Sequence, residues 1–232
     1  KSNDTWARDH GAISVFIDNK PTLLDFKFNG WGLKYPADLD NQITRQLYDL
    51  DIFAPEVEYV SHLNFILEGG SIESDGKGTL LTTSECLTSP NRNQPVSLDD
   101  LERTLMKWLG VHRILFLDHG YLAGDDTDHH IDTLARFCDE RTIAYVKCED
   151  KNDEHYDELK AMEIDLKNFT TLDEKPYRMI PLPMTDAIYE DGFRLPATYA
   201  NFLIINDTVL MPFYNSPKDE IARKQLQKAF PD

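Results

Sequence analysis

The stretch GDDTDHHIDTLARF (residues 124–137) concentrates four aspartates, two histidines and an arginine among apolar side chains. Residues of these types can ligate a metal, exchange protons, or face water as an acidic loop. Calcium fails on spacing. An EF-hand loop needs glycine at its sixth position and glutamate at its twelfth, and frames from Asp125 or Asp126 supply neither. His129 and His130 are adjacent, so on a strand they point to opposite faces and do not share one ion. No metal is expected here.

Read as a strand over 130–137, the segment puts His130 and Asp132 on one face and Ile131 on the other. A histidine beside a carboxylate suits proton transfer, and the same pair on a surface is inert. Both readings stand on this spacing alone. Asp125, Asp126 and Asp128 are expected in a turn or a cation-attracting rim. Two further segments share the character. NDTWARDHG sets Trp6, Arg8 and Asp9 just before a glycine, and FILEGGSI ends an apolar run with Glu68 and two glycines. A carboxylate at a strand end before glycine is well placed to face a cleft.

Something must position these groups. Short apolar runs broken by Gly, Pro, Asn and Asp predict strands at 12–18, 23–29, 56–61, 78–83, 112–118, 130–137, 142–148, 177–184, 199–206 and 208–214. Helical periodicity appears in DLDNQITRQLYDL, with Ile43, Leu47 and Leu50 on one face. SLDDLERTLMKWLG opens at a Ser97 N-cap and closes at Gly110, and DEHYDELKAMEIDLK and SPKDEIARKQLQKAF complete the set. The order is a ββαβ unit repeated, which predicts an α/β fold of modules arranged about an axis.

Hydrophobic residues at 41% and aromatics at 11% place the chain among globular proteins. A net charge of −17 disfavours nucleic acid, whose phosphates need a basic face, and favours cationic ligands. The longest apolar runs are strand-sized, so no membrane partner is expected. Three cysteines argue against a disulfide framework and for a reducing, cytoplasmic setting. No signal peptide is visible, and the chain opens without methionine on KSNDTWARD, as if inside a longer protein.

Taken in order, W-x-R-D-x-G, L-E-G-G and D-D-T-D-x-H-I-D-T-x-A-R-F closely resemble the agmatine deiminase and bacterial peptidyl-arginine deiminase family of the guanidine-modifying, pentein-fold superfamily. FKFNGWGLKY, GTLLTTSECLTSPNRN and RLPATYANFLIIN extend the resemblance from about residue 3 to the end. The resemblance implies a five-bladed β/α propeller of ββαβ modules, with residues 1–232 a single deiminase domain lacking N- and C-terminal parts. It implies hydrolysis of a guanidinium to a ureido group with release of ammonia, without a cofactor. The substrate would be agmatine, on the route to putrescine and the polyamines, or arginine in a peptide. A homodimer is the expected assembly.

By the same resemblance, Asp9 and Asp132 match the carboxylates that grip the guanidinium, Glu68 the carboxylate that supports the histidine, and His130 the general acid/base. Trp6 and Arg8 would border the substrate. The family's nucleophile is a cysteine near the C-terminus, and this chain stops at AFPD before such a segment, so the cysteine is expected beyond it and these residues alone are expected to be inactive. Cys86, Cys138 and Cys148 are expected to be incidental thiols. His129, where relatives often carry a small residue, is a second departure. Two other readings are a catalytically inactive pentein that serves as a binding or assembly module and an amidinotransferase of the same superfamily.

Overall fold

In the computed structural model, which describes residues 1–231, one unit recurs: two antiparallel strands, a helix, and a third strand parallel to the second. The first repeat comprises α1 (Ala7–His10), β1 (Ile13–Ile17), β2 (Lys20–Lys27), a kinked turn α2 (Gly30–Leu33), α3 (Ile43–Asp49) and β3 (Glu58–Ile66). The second has β4 (Ile72–Ser74), β5 (Thr79–Thr83), α4 (Ser84–Thr88), α5 (Leu98–Leu109) and β6 (Arg113–Leu117). The third has β7 (Ala135–Asp139), β8 (Thr142–Lys147), α6 (Tyr156–Asn168) and β9 (Arg178–Pro183). A small hairpin, β10 (Tyr189–Glu190) with β11 (Phe193–Arg194), precedes β12 (Leu203–Ile205), β13 (Thr208–Leu210) and α7 (Pro217–Leu226).

The middle strand of each three-stranded sheet pairs antiparallel on one side and parallel on the other. Every residue of β5 is buried, as are the first five of β8. Strands covered on both faces have no polar side, which is why TLLTT and TIAYV run without alternation. The parallel return needs a crossover, and the helices supply it.

The chain divides into two compact units. The first contains Lys1–Ser71 and Leu87–Leu109, and the second contains Ile72–Cys86 and the chain from Gly110 onward. In the first, α5 covers the β1–β2–β3 sheet. Trp108 lies against His62 at 4.2 Å, Phe65 at 5.1 Å and Phe26 at 5.8 Å. The helix thus belongs to the second repeat by sequence and to the first sheet by packing. Its ends follow the sequence signals. Ser97 Oγ accepts the Asp100 amide at 3.1 Å and donates to Asp100 Oδ2 at 2.6 Å, and Gly110 closes the helix at φ 68.

The face predicted for α3 is not the buried one. Leu47 and Leu50 are exposed, and Thr44 is buried. A 3₁₀ turn (Asp40–Gln42) precedes the helix, and buried Asp40 Oδ1 accepts the Asn3 amide at 2.7 Å. Asp40 and Thr44, one helical turn apart, define the inward side.

In the second unit, the buried core gathers Leu117, Ile143, Tyr145, Met162, Leu182 and Phe202. Two predicted strands are shorter than their apolar runs. Tyr199, Ala200 and Phe202 are buried outside any ladder, because the Thr198 hydroxyl accepts the Ala200 amide at 3.0 Å and bends the chain away from strand geometry. Only Leu203–Ile205 and Thr208–Leu210 pair as a hairpin. Among the described residues no helix is long and apolar enough to cross a membrane.

Candidate active site

Asp9 sits on α1 and is buried. Its Oδ2 accepts from Trp31 Nε1 at 3.0 Å and its Oδ1 from the Gly70 amide at 2.8 Å, so two donors fix the plane of the carboxylate. Trp31 reaches Asp9 from a strained backbone, at φ 54 inside the NGWG turn, with its ring edge-on between Phe28 and Tyr35. Gly70 belongs to the EGG turn that ends β3. A Cβ on its neighbour Gly69 would stand 2.0 Å from the Arg8 carbonyl oxygen, so only glycine lets this turn close on α1.

The same turn carries Glu68, two residues before the amide that holds Asp9. Glu68 and Arg92 form an ion pair, with Arg92 Nε 2.9 Å from Oε2 and 3.2 Å from Oε1, and their side chains are only 1% and 2% exposed. Arg92 is aimed by the residue that follows it. Asn93 accepts the Ile66 amide and donates to the Ile66 carbonyl, both at 2.8 Å, as an added strand residue would. In the first unit, therefore, the chain joins Asp9, Trp31, Glu68 and Arg92 across some eighty positions of sequence. Arg8 lends its carbonyl to this packing. Trp6 is 62% exposed and starts α1, its carbonyl accepting the Asp9 amide at 3.0 Å, whereas the indole that bonds the Asp9 carboxylate is that of Trp31.

In the second unit, the strand expected over 130–137 is corrected. Residues Ile131–Thr133 form a 3₁₀ turn and β7 begins only at Ala135. The His130 carbonyl accepts the Thr133 hydroxyl at 2.9 Å, and the Ile131 carbonyl accepts the Leu134 amide at 3.0 Å. Local bonds of this kind compete with a ladder. His130 and Asp132 thus share a buried turn, not a strand face, and Ile131 between them is buried too. Strand alternation does not separate the two histidines either. Asp128 and His129 both have φ above 60°, and this left-handed step turns His129 outward to Glu85, 3.3 Å from its Nδ1, while His130 is buried.

Asp125, without an assigned role from sequence, organises this loop. Its Oδ1 accepts the Thr127 hydroxyl at 2.6 Å and its Oδ2 the His129 amide at 2.8 Å. Thr127 Oγ1 in turn accepts the His130 amide at 3.1 Å. The D-D-T spacing carries that signal, since Asp and Thr cap the amides two to four residues on. Arg92 and Trp31 lie in the quoted stretches TSPNRN and FNGWG, yet nothing in their spacing points to Glu68 or Asp9.

The cysteines of this unit are poorly suited to attack. Burial pushes the Cys138 thiol up to about 12 and raises that of Cys148. A thiolate is the nucleophilic form, so neither is active near neutral pH. Cys86 is fully buried, with its sulfur 3.8 Å from the Thr127 carbonyl.

Comparison with known proteins decides the family. The model of the Porphyromonas-type peptidyl-arginine deiminase family matches residues 1–232. The chain belongs to that family. It is a guanidino-group hydrolase, a deiminase, of a family that works through a covalent cysteine intermediate, and its repeated ββαβ units are those of the pentein fold. A crystal structure from Porphyromonas gingivalis is 57% identical, with TM-score 0.98 over 100% of this chain and 68% of that one. The agmatine deiminase of C. jejuni, solved with substrate bound, is 42% identical with TM-score 0.90, and the match covers 100% of this chain and 66% of that one. The agmatine deiminase of Pseudomonas aeruginosa is 32% identical over 100% of this chain and 68% of its own length.

Proposed function

We propose that the protein hydrolyses the guanidinium of agmatine to a ureido group and ammonia, and that Asp9, Glu68, His130 and Asp132 are the groups of this chain that carry the reaction. The observation that carries the proposal is the buried Asp9 carboxylate, oriented by Trp31 and by Gly70 of the turn that also carries the buried carboxylate of Glu68. A guanidinium is a rigid planar fork of donors, and carboxylates grip it through paired charge-assisted bonds. Asp9 and Asp132 have that role. The choice of agmatine over peptide arginine is supported by the names of the C. jejuni and P. aeruginosa relatives.

With the guanidinium held, a cysteine thiolate adds to its central carbon, and the tetrahedral adduct expels one nitrogen. His130 gives that nitrogen a proton, so it leaves as ammonia. The imidazole then takes a proton from water, whose oxygen attacks the same carbon. Collapse breaks the carbon–sulfur bond, releasing the ureido product and the thiolate. Glu68 supports the histidine, and Arg92 balances the charge of Glu68. No oxidant or cofactor enters the balance.

Ammonia release measured in parallel from agmatine and from an arginine peptide tests this in the full-length enzyme. Turnover is expected on agmatine, and His130→Ala should abolish it while agmatine still binds. Unchanged turnover in that variant would refute the role of His130, and activity on the peptide alone would refute the choice of substrate.

A further inference from the structure

The loop that delivers His130 is held at its other end by a second histidine to which the deiminase chemistry assigns no role. His155 is buried, with its side chain 1% exposed. Its Nε2 accepts the Ala123 amide at 2.8 Å. Its Nδ1 lies 2.5 Å from Asp153 Oδ1, an oxygen that also accepts the His155 amide at 3.0 Å. An imidazole whose Nε2 accepts a bond carries its proton on Nδ1. Asp153 therefore selects the one tautomer that can hold Ala123. Burial alone would push the Asp153 carboxyl up, but the bonds from the His155 amide and ring, with Arg194 nearby, bring it below its usual range.

The neighbours of this pair belong to the same loop or press on it. The Tyr121 ring stacks on the imidazole at 5.3 Å and 22°, and lies 6.1 Å from the ring of His129. Arg194 pairs with Asp153 at 3.7 Å and with Glu154 at 2.7 Å. Gly124, at φ 87, passes so near the Arg194 carbonyl that a Cβ would stand 1.9 Å from its oxygen. Beyond Gly124 the Asp125 amide turns back to the Leu122 carbonyl at 3.1 Å, the Asp125 carboxylate holds the Thr127 hydroxyl and the His129 amide, and Thr127 holds the amide of His130.

We propose that His155, set by Asp153, is a positioning residue for His130, acting through Ala123 and the Asp125–Thr127 bonds. The role of His130 rests on the deiminase reading, whereas the clamp on the loop rests on the bonds described above. A histidine that merely fills the core would affect stability alone. A positioning residue changes kcat while leaving KM in place, and a side chain that restores the acceptor rescues it.

The test uses the full-length enzyme with agmatine and the variants His155→Gln, His155→Asn and His155→Phe. A glutamine amide oxygen reaches the position of Nε2 and accepts the Ala123 amide, the shorter asparagine does not reach it, and phenylalanine has no acceptor. His155→Gln should keep kcat within about threefold of wild type, while His155→Asn and His155→Phe should lose about 10²-fold with KM little changed, the scale of a misplaced catalytic group. Hydrogen exchange of the amides at 121–130 should quicken in the Asn and Phe variants and not in Gln. Equal impairment of Gln and Asn, or wild-type kcat in Phe, overturns the proposal. If Phe fails to fold, the contrast between Gln and Asn decides. A wild-type enzyme without turnover on agmatine would defeat the proposed substrate, and the exchange contrast would still decide the clamp.

Discussion

At the scale of single residues, the Glu68–Arg92 pair has the clearest energetic consequence. Both side chains are almost wholly withdrawn from water, so removing one partner strands a buried charge. Arg92→Met is expected to cost about 3–5 kcal/mol in urea denaturation, and adding Glu68→Gln should recover part of that loss. If the single variant loses less than about 1 kcal/mol, water reaches Glu68 and the pair is not the charge balance described here. Asp125→Ala removes the acceptor for three groups of the His130 loop and should lower kcat for agmatine while shifting the melting temperature only slightly. Asp9 and Glu68 are legible in the sequence because each ends a segment at glycine. Arg92 and Trp31 are not, because what makes them matter is a partner far away in the chain.

At the scale of elements, α6 is tied to β8 through one carboxylate. Tyr145 donates to Glu163 Oε1 at 2.9 Å, and Lys160 and Lys167 approach the same group at 2.7 and 2.6 Å. Burial raises the Glu163 carboxyl, but these three bonds outweigh it and hold the group at about 2. A carboxyl depressed in the folded state stabilises above its unfolded pKa and loses that contribution as pH falls through the folded one. The stabilisation should therefore be full above pH 4.5 and fade towards 2, a loss of about 1–3 kcal/mol. Acid denaturation of Glu163→Gln should show a flatter slope over that window, and an unchanged slope would contradict the assignment. The capping box of α7 gives a second check, because Ser216 caps the helix and Asp219 reciprocates. Ser216→Ala should cost about 1 kcal/mol in thermal unfolding. The three central strands were legible as apolar runs, and the helix caps as Ser and Gly. The HIDT turn was not, since alternation in four residues reads as a strand until the Thr133 hydroxyl and the Leu134 amide are seen bonding backwards.

At the scale of the whole molecule, the charge of −17 bears directly on a cationic substrate. An acidic surface raises the encounter rate with a guanidinium cation such as the proposed substrate agmatine, and salt screens the field over a Debye length of about 10 Å at 0.1 M. Raising the ionic strength should lower kcat/KM for agmatine and leave kcat nearly unchanged. A salt-independent kcat/KM would mean that the charge serves solubility alone. The ββαβ repeat was readable at this scale too, and the structure adds that α5 covers a sheet of the preceding repeat.

The sequence by itself determined the repeat, the family and the residue types of the chemistry, because these depend on local pattern and on order along the chain. Only the tertiary structure decided which indole bonds the Asp9 carboxylate, that Arg92 balances Glu68, and that His130 stands on a bonded turn reaching back to His155. The physical reason is the range of the interactions. Burial period and capping are set within a few residues, whereas a charge pair or a tautomer is fixed by partners that only packing brings within 3 Å.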